Sequence, residues 1–139
     1  MNRQKIVLGG LAAGLVLNLL DFITSSYIMG GAMAHAFNAV NPSLVAAMGT
    51  TRATATFVVT DFVYGIALVW LYSAMRPRYG AGPRNALMSA FFIWLISCLA
   101  FSMFHTMGMM GMHLFLLMAL IALINYGIAA LVGGWLYTE

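Results

Sequence analysis

Charge is what this sequence has least of. Its 139 residues include 6 Lys or Arg and 3 Asp or Glu, 6% of the chain, against 63% hydrophobic residues. Soluble domains carry about 25% charged residues, because a folded surface in water needs a polar shell. So few charges cannot supply one, and the expected solvent is lipid. Cysteine is nearly absent as well: Cys98 alone rules out an internal disulfide and a cysteine-based zinc site. The net charge of +3 is no argument for nucleic acid, because half of the basic residues crowd into one short segment that suits lipid headgroups better than a duplex. No phosphate loop, dinucleotide-binding glycine motif or zinc-protease motif occurs.

What is present is long apolar runs. A helix that crosses a bilayer needs about 20 apolar residues. Four stretches qualify, over about 6–29, 53–71, 86–105 and 113–137. The expected fold is therefore all-α, a single transmembrane domain built as a four-helix bundle. The breaks between runs carry turn chemistry: Gly30-Gly31, the segment Arg76 to Arg84 with its two prolines, and Gly108 to Gly111. Arg3 and Lys5 before the first run imitate a signal peptide, but the apolar run is too long for one, so a retained first helix is expected. In the first external loop, Asn41-Pro42 reads as an N-cap followed by proline at the first helical position, and Gly49 as a stop. A short interfacial helix is expected there, from about Pro42 to Met48.

The basic residues set orientation. Arg3, Lys5, Arg76, Arg78 and Arg84 fall on one side of such a bundle and only Arg52 on the other. Basic residues mark the cytoplasmic side, so both termini and the middle loop are expected in the cytoplasm. Trp70, Tyr72, Tyr79, Trp135 and Tyr137 would form an aromatic belt at that interface.

An internal echo suggests two similar helical hairpins. The second run contains Tyr64-Gly65-Ile66-Ala67 and then Trp70-Leu71-Tyr72. The fourth contains Tyr126-Gly127-Ile128-Ala129 and then Trp135-Leu136-Tyr137. A small gap aligns them, and both segments would cross the membrane in the same direction, as a parallel repeat requires.

Two of the three acidic residues, Asp21 and Asp61, lie inside apolar runs. A carboxylate at the bilayer centre costs about 2.5–3.5 kcal/mol on insertion scales, and such groups often mark a site or a pathway. Counted along the helices at 1.5 Å per residue, both fall in the outer half at similar depth. Gly10, Gly14, Asn18, Asp21 and Ser25 recur every three or four residues and share one stripe. Gly10 and Gly14 are a small-xxx-small pair that lets a second helix approach closely. Asn125, near the middle of the fourth run, completes a possible polar layer of Asn18, Asp21, Asp61 and Asn125. No basic residue lies in the membrane to pair with these acids. Arg52 is the nearest, about two turns from Asp61. Two carboxylates at one depth repel, so one is expected to keep its proton. The bland alternative is that the four groups only hydrogen-bond helix to helix, worth about 0.6–2 kcal/mol each.

All three histidines and eight of the twelve methionines gather at the outer face. Thioether and imidazole together suit copper, and methionine favours Cu(I). Met103, His105, Met109 and His113 are the candidate ligands, because His105, Met109 and His113 recur every four residues and would converge on a continuous helix. Against copper, methionine is also a common filler of apolar interfaces. A porphyrin on His105 lacks a facing histidine. Cys98, Ser102 and His105 share a face, but no carboxylate nearby completes a nucleophile–base pair, and an enzyme is the least supported class.

The segment Trp70-Leu71-Tyr72-Ser73-Ala74-Met75-Arg76-Pro77-Arg78-Tyr79-Gly80-Ala81-Gly82-Pro83 resembles the inner loop of a group of small four-helix bacterial membrane proteins with no assigned activity. Asn18 in a glycine-rich first helix and the Trp-Leu-Tyr ending are similar too. The resemblance implies a bacterial inner-membrane location and no particular chemistry.

Three functions stay open from the sequence. The polar layer binds or passes a proton, a cation or a small ligand. The Met/His cluster handles copper at the periplasmic face. Or the chain is a non-catalytic subunit or scaffold of a larger membrane complex. A chain of 139 residues is small for a complete transporter, so a homo-oligomer or a larger complex is expected, with the lipid bilayer as its surrounding.

Overall fold

The Asn2 side chain accepts a hydrogen bond from the Lys5 amide at 3.2 Å and so opens the first helix, α1, Arg3–Thr24. The structure is a computed structural model and describes residues 2–137. The helix does not stop at Gly30-Gly31. It passes through one π-helical turn, Ser25–Met29, and continues as α2, Gly30–Val40. The wider turn pushes the Ser25 carbonyl into the space a side chain at Gly30 would need. Glycine here permits the π turn instead of breaking the helix. The path Arg3–Val40 is 38 residues, roughly 57 Å at 1.5 Å per residue. That exceeds the roughly 30 Å of bilayer hydrocarbon.

Helix α3, Pro42–Met48, occupies the span its cap chemistry predicts: Asn41 accepts from the Ser43 amide at 3.0 Å and Pro42 fills the first turn. Thr50 caps α4, Thr51–Tyr79, by accepting from the Ala53 amide at 3.2 Å. This helix runs two turns past its expected end near Leu71. The basic segment read as a loop is therefore mostly helix. Arg76 to Tyr79 form the last turn of α4, and Pro77 interrupts the backbone ladder only there. The link shrinks to Gly80–Gly82, with positive φ at Gly80 (80°) and Gly82 (129°). Pro83 then opens α5, Pro83–Thr106, and after Gly108 (φ 76°) comes α6, Met112–Leu136.

Four helical spans are long and apolar enough to cross a membrane: Arg3–Val40, α4, α5 and α6. Helix α1 packs mainly against α4 and α6, and α5 packs against α6 and α4. Small residues set these approaches. Gly65 of α4 lies directly on the Gly10 carbonyl and the Gly14 amide of α1. A methyl at Gly10 would stand 2.6 Å from Ile66 Cα, and one at Gly14 2.7 Å from Phe62 Cα. Across the other side of α1, a methyl at Gly133 would stand 3.0 Å from the Gly9 carbonyl oxygen and 2.5 Å from Val69 Cγ2. Backbones this close gain dispersion contacts that lipid tails cannot match.

The bundle is closed at the end that holds both termini. Ala13, Leu17, Leu68, Val69 and Ala129 are fully buried. Below them the Asn2 amide donates to Tyr137 Oη at 3.2 Å, and the Arg76 guanidinium lies 5.6 Å over the Tyr137 ring. Asn85 Nδ2 donates to the carbonyls of Tyr72 and Gly80, both at 3.1 Å, tying α4 to α5. The opposite end is open. Every residue of α4 from Thr54 to Thr60 is exposed, and α2 and α3 hold no buried residue.

Candidate intramembrane polar site

At the junction of the closed and open halves, polar side chains from four helices meet. Asn125 of α6 donates from Nδ2 to Asp21 Oδ1 of α1 at 2.7 Å, the length of a charge-assisted bond. Asn18 of α1 donates from Nδ2 to the Gly14 carbonyl at 3.0 Å and to the Val58 carbonyl of α4 at 3.3 Å. Gly14 fits against the Asp61 backbone, with 3.2 Å between a would-be methyl and the Asp61 carbonyl oxygen. Asp61 is thus set beside α1 at the level of Gly14, about two turns from Asp21. Among the described residues the Asp61 carboxyl makes no hydrogen bond, and no ion pair reaches either acid. By helix length, Asp61 is roughly 15 Å from the Thr51 end of α4 and 27 Å from the Tyr79 end.

The site also contains residues that the sequence reading passed over. Tyr64, one turn after Asp61, stacks at a tilt on Tyr126, with ring centroids 5.4 Å apart. Ser97 of α5 donates to its own Ile93 carbonyl at 2.9 Å, and its hydroxyl oxygen lies 3.4 Å from Tyr64 Oη. Tyr126 adjoins Asn125 and brings its ring against Tyr64, whose hydroxyl lies beside Ser97. The Tyr-Gly-Ile-Ala echo named both tyrosines, and Tyr64 is three residues from Asp61 on one helix face. Nothing in the sequence singles out Ser97 from the other helical serines.

The chemistry available is that of two carboxyls, two amides and three hydroxyls. Such a set accepts and relays protons, or supplies oxygen ligands to a small cation. It contains no activated nucleophile. Ser102 donates to the Leu99 carbonyl at 2.7 Å, and Cys98 lies half-buried.

The Met/His candidates are placed differently. Residues 107–111 are not helical, so the four-residue recurrence through Met109 does not converge. His105 Nδ1 lies 2.9 Å from the Met110 carbonyl oxygen, and its ring stacks on Phe115 at 6.0 Å. Met103 sits on the other side of α5 and is 63% exposed, and His113 is exposed. Met109 turns with Met48 into an apolar groove under α2 and α3. Among the described residues no three His, Cys, Asp or Glu side chains form a metal-binding group.

Comparison with protein-family models, with curated proteins and with solved structures finds no match to this chain.

Proposed function

We propose that this chain is a small polytopic protein of the bacterial inner membrane whose intramembrane polar cluster takes up a proton or a small cation from the open end of the bundle. One observation carries this reading. Asp21 and Asp61 lie on the facing helices α1 and α4, about two turns apart in level, with no basic partner among the described residues, where the open half begins. Two carboxyls in lipid cost about 2.5–3.5 kcal/mol each on insertion scales. Asn125 offsets part of this at Asp21 only. A bound cation or proton offsets it at both.

In this reading both termini and the Gly80–Gly82 link face the cytoplasm, as the basic residues indicate, and α3 lies at the outer interface. The two halves α1–α4 and α5–α6 descend from one duplicated hairpin. The ring pairs support this: Tyr64 meets Tyr126 and Tyr72 meets Tyr137, the latter edge-on at 6.1 Å, each joining matching places of the repeated motif. Further copies of the chain, or a partner subunit, complete the functional unit.

The test is reconstitution of the full chain in liposomes under proton, sodium or potassium gradients, with unfolding temperature read in parallel at each cation concentration. Wild type is expected to dissipate one gradient, or to be stabilised by one cation. Asp21→Asn and Asp61→Asn are each expected to remove that response. Wild-type behaviour in both variants would reduce the cluster to helix-to-helix bonding.

Copper at Met103, His105, Met109 and His113 is the second reading. What favours it is the carbonyl that holds His105 Nδ1 and leaves Nε2 as the free nitrogen, as in many ligating histidines. Under the first reading, protein purified from copper-supplemented cells is free of copper. Near-stoichiometric copper, lost on replacing His105 and His113, would install the second.

A further inference from the structure

The repeated motif is packed differently in its two copies. Gly65 is met by the backbone of α1, whereas a methyl at the matching Gly127 would meet only the Leu87 side chain, at 3.6 Å. No backbone fills that place on α6. A groove of about 440 Å³ opens instead between α5 and α6. Leu87 and Phe91 form one wall, Ile124, Ile128 and Leu131 the other, and Gly127 the floor. The side chains lining the groove are hydrocarbon throughout, and its rim is exposed: Leu87 and Phe91 are each 47% exposed and Ile124 54%.

Arg84 lies about one turn before Leu87 on α5. Arg84, Leu87 and Phe91 are spaced three and four residues apart, so they share one face of α5. Arg84 is exposed and lies in the first turn of α5, at the basic end of the bundle. The preceding Gly82 provides no side-chain cap, so the first-turn amides add their partial positive charge to that of Arg84. A hydrocarbon slot with an arginine one turn beyond its Leu87 wall, on the same helix face, matches a molecule with a long apolar tail and an anionic head. Guanidinium pairs with phosphate oxygens in a two-pronged geometry.

We propose that this groove binds one acyl chain of an anionic phospholipid, with the headgroup phosphate held by Arg84. The site is separate from the Asp21–Asp61 cluster and does not depend on its function. A second copy of the chain seated in the groove is the competing occupant, and free phosphate is the competing source of the anion.

Native mass spectrometry of the full chain in mild detergent tests this. The probes are dioleoyl phosphatidylglycerol, dioleoyl phosphatidylcholine and inorganic phosphate, each titrated separately. Wild type is expected to retain one phosphatidylglycerol about fivefold more tightly than phosphatidylcholine, the gain from one arginine near an anionic headgroup, and to retain no phosphate alone. Arg84→Gln is expected to abolish the headgroup preference and keep residual chain binding. Arg78→Gln, an exposed arginine at the same end, is expected to keep the preference. Gly127→Leu fills the slot and is expected to lower retention of both lipids. Equal retention of the two lipids by wild type overturns the proposal, as does a preference that survives Arg84→Gln. Retention of phosphate alone, or a dimer that forms with wild type and is lost in Gly127→Leu, would give the site to the competing source or occupant. Arg84→Gln changes an exposed side chain and decides the headgroup question even if Gly127→Leu fails to assemble.

Discussion

Asp21 and Asn125 are 104 residues apart in the chain and 2.7 Å apart in the bundle. The bond lets structure and function be separated by substitution. Asp21→Asn keeps an amide able to bond Asn125 and removes the charge, so stability is expected to fall little while the cation or proton response disappears. Asn125→Ala removes the donor and is expected to cost about 0.6–2 kcal/mol, measured as unfolding in mixed detergent–SDS micelles. A larger loss in Asp21→Asn than in Asn125→Ala would contradict that division. The acids and Asn125 were legible because polar groups are costly in a run of leucine and alanine. Their pairing was not, since no spacing rule connects positions on α1 and α6. Tyr64 and Tyr126 were legible only as letters of a repeat, because a tyrosine in a membrane helix reads equally well as an interface aromatic.

Glycine shows the same split at the level of elements. The helices and their caps could be read from the sequence: Asn41-Pro42 opens α3 as expected. Gly30-Gly31 misled, because a glycine pair marks a break as readily as it relieves a widened turn, and a π turn has no sequence signature. The two positions now make opposite predictions. Nothing lies within 4 Å of a methyl at Gly31, so Gly31→Ala should stabilise α2 by about 0.5–1 kcal/mol. Gly30→Ala runs into the Ser25 carbonyl and should destabilise the chain by straining or removing the π turn. Gly65→Ala places its methyl in the backbone of α1 and should cost at least about 1–3 kcal/mol by overpacking. Thermal unfolding of the three variants under one detergent condition reads all of these. A neutral Gly65→Ala would mean that α1 and α4 do not cross at Gly10 and Gly14.

For the whole molecule, the contrast between a closed and an open half makes a prediction about where a water-soluble reagent can reach. Val58 is 40% exposed, and Leu68, about three turns deeper on α4, is fully buried. In a Cys98→Ser background, a membrane-impermeant maleimide is expected to label Val58→Cys from the end away from the termini and to leave Leu68→Cys unmodified. Equal labelling would show that the lower half also opens. The overall class was legible from composition alone. The asymmetry was not, because it depends on which helices cover α4 between Thr54 and Thr60, and no spacing rule gives that. The place of α1 between α4 and α6 also bears on how the protein is made. Ribosomes add about 5–20 residues per second, so on the order of 5–20 s pass between synthesis of Asp21 and of its partner Asn125. During that time the nascent chain sits in the membrane with an unmatched carboxyl and with Gly9 still bare of its partner Gly133. A chain truncated before α6 never covers them, so the packing of the first helix is completed only when α6 arrives.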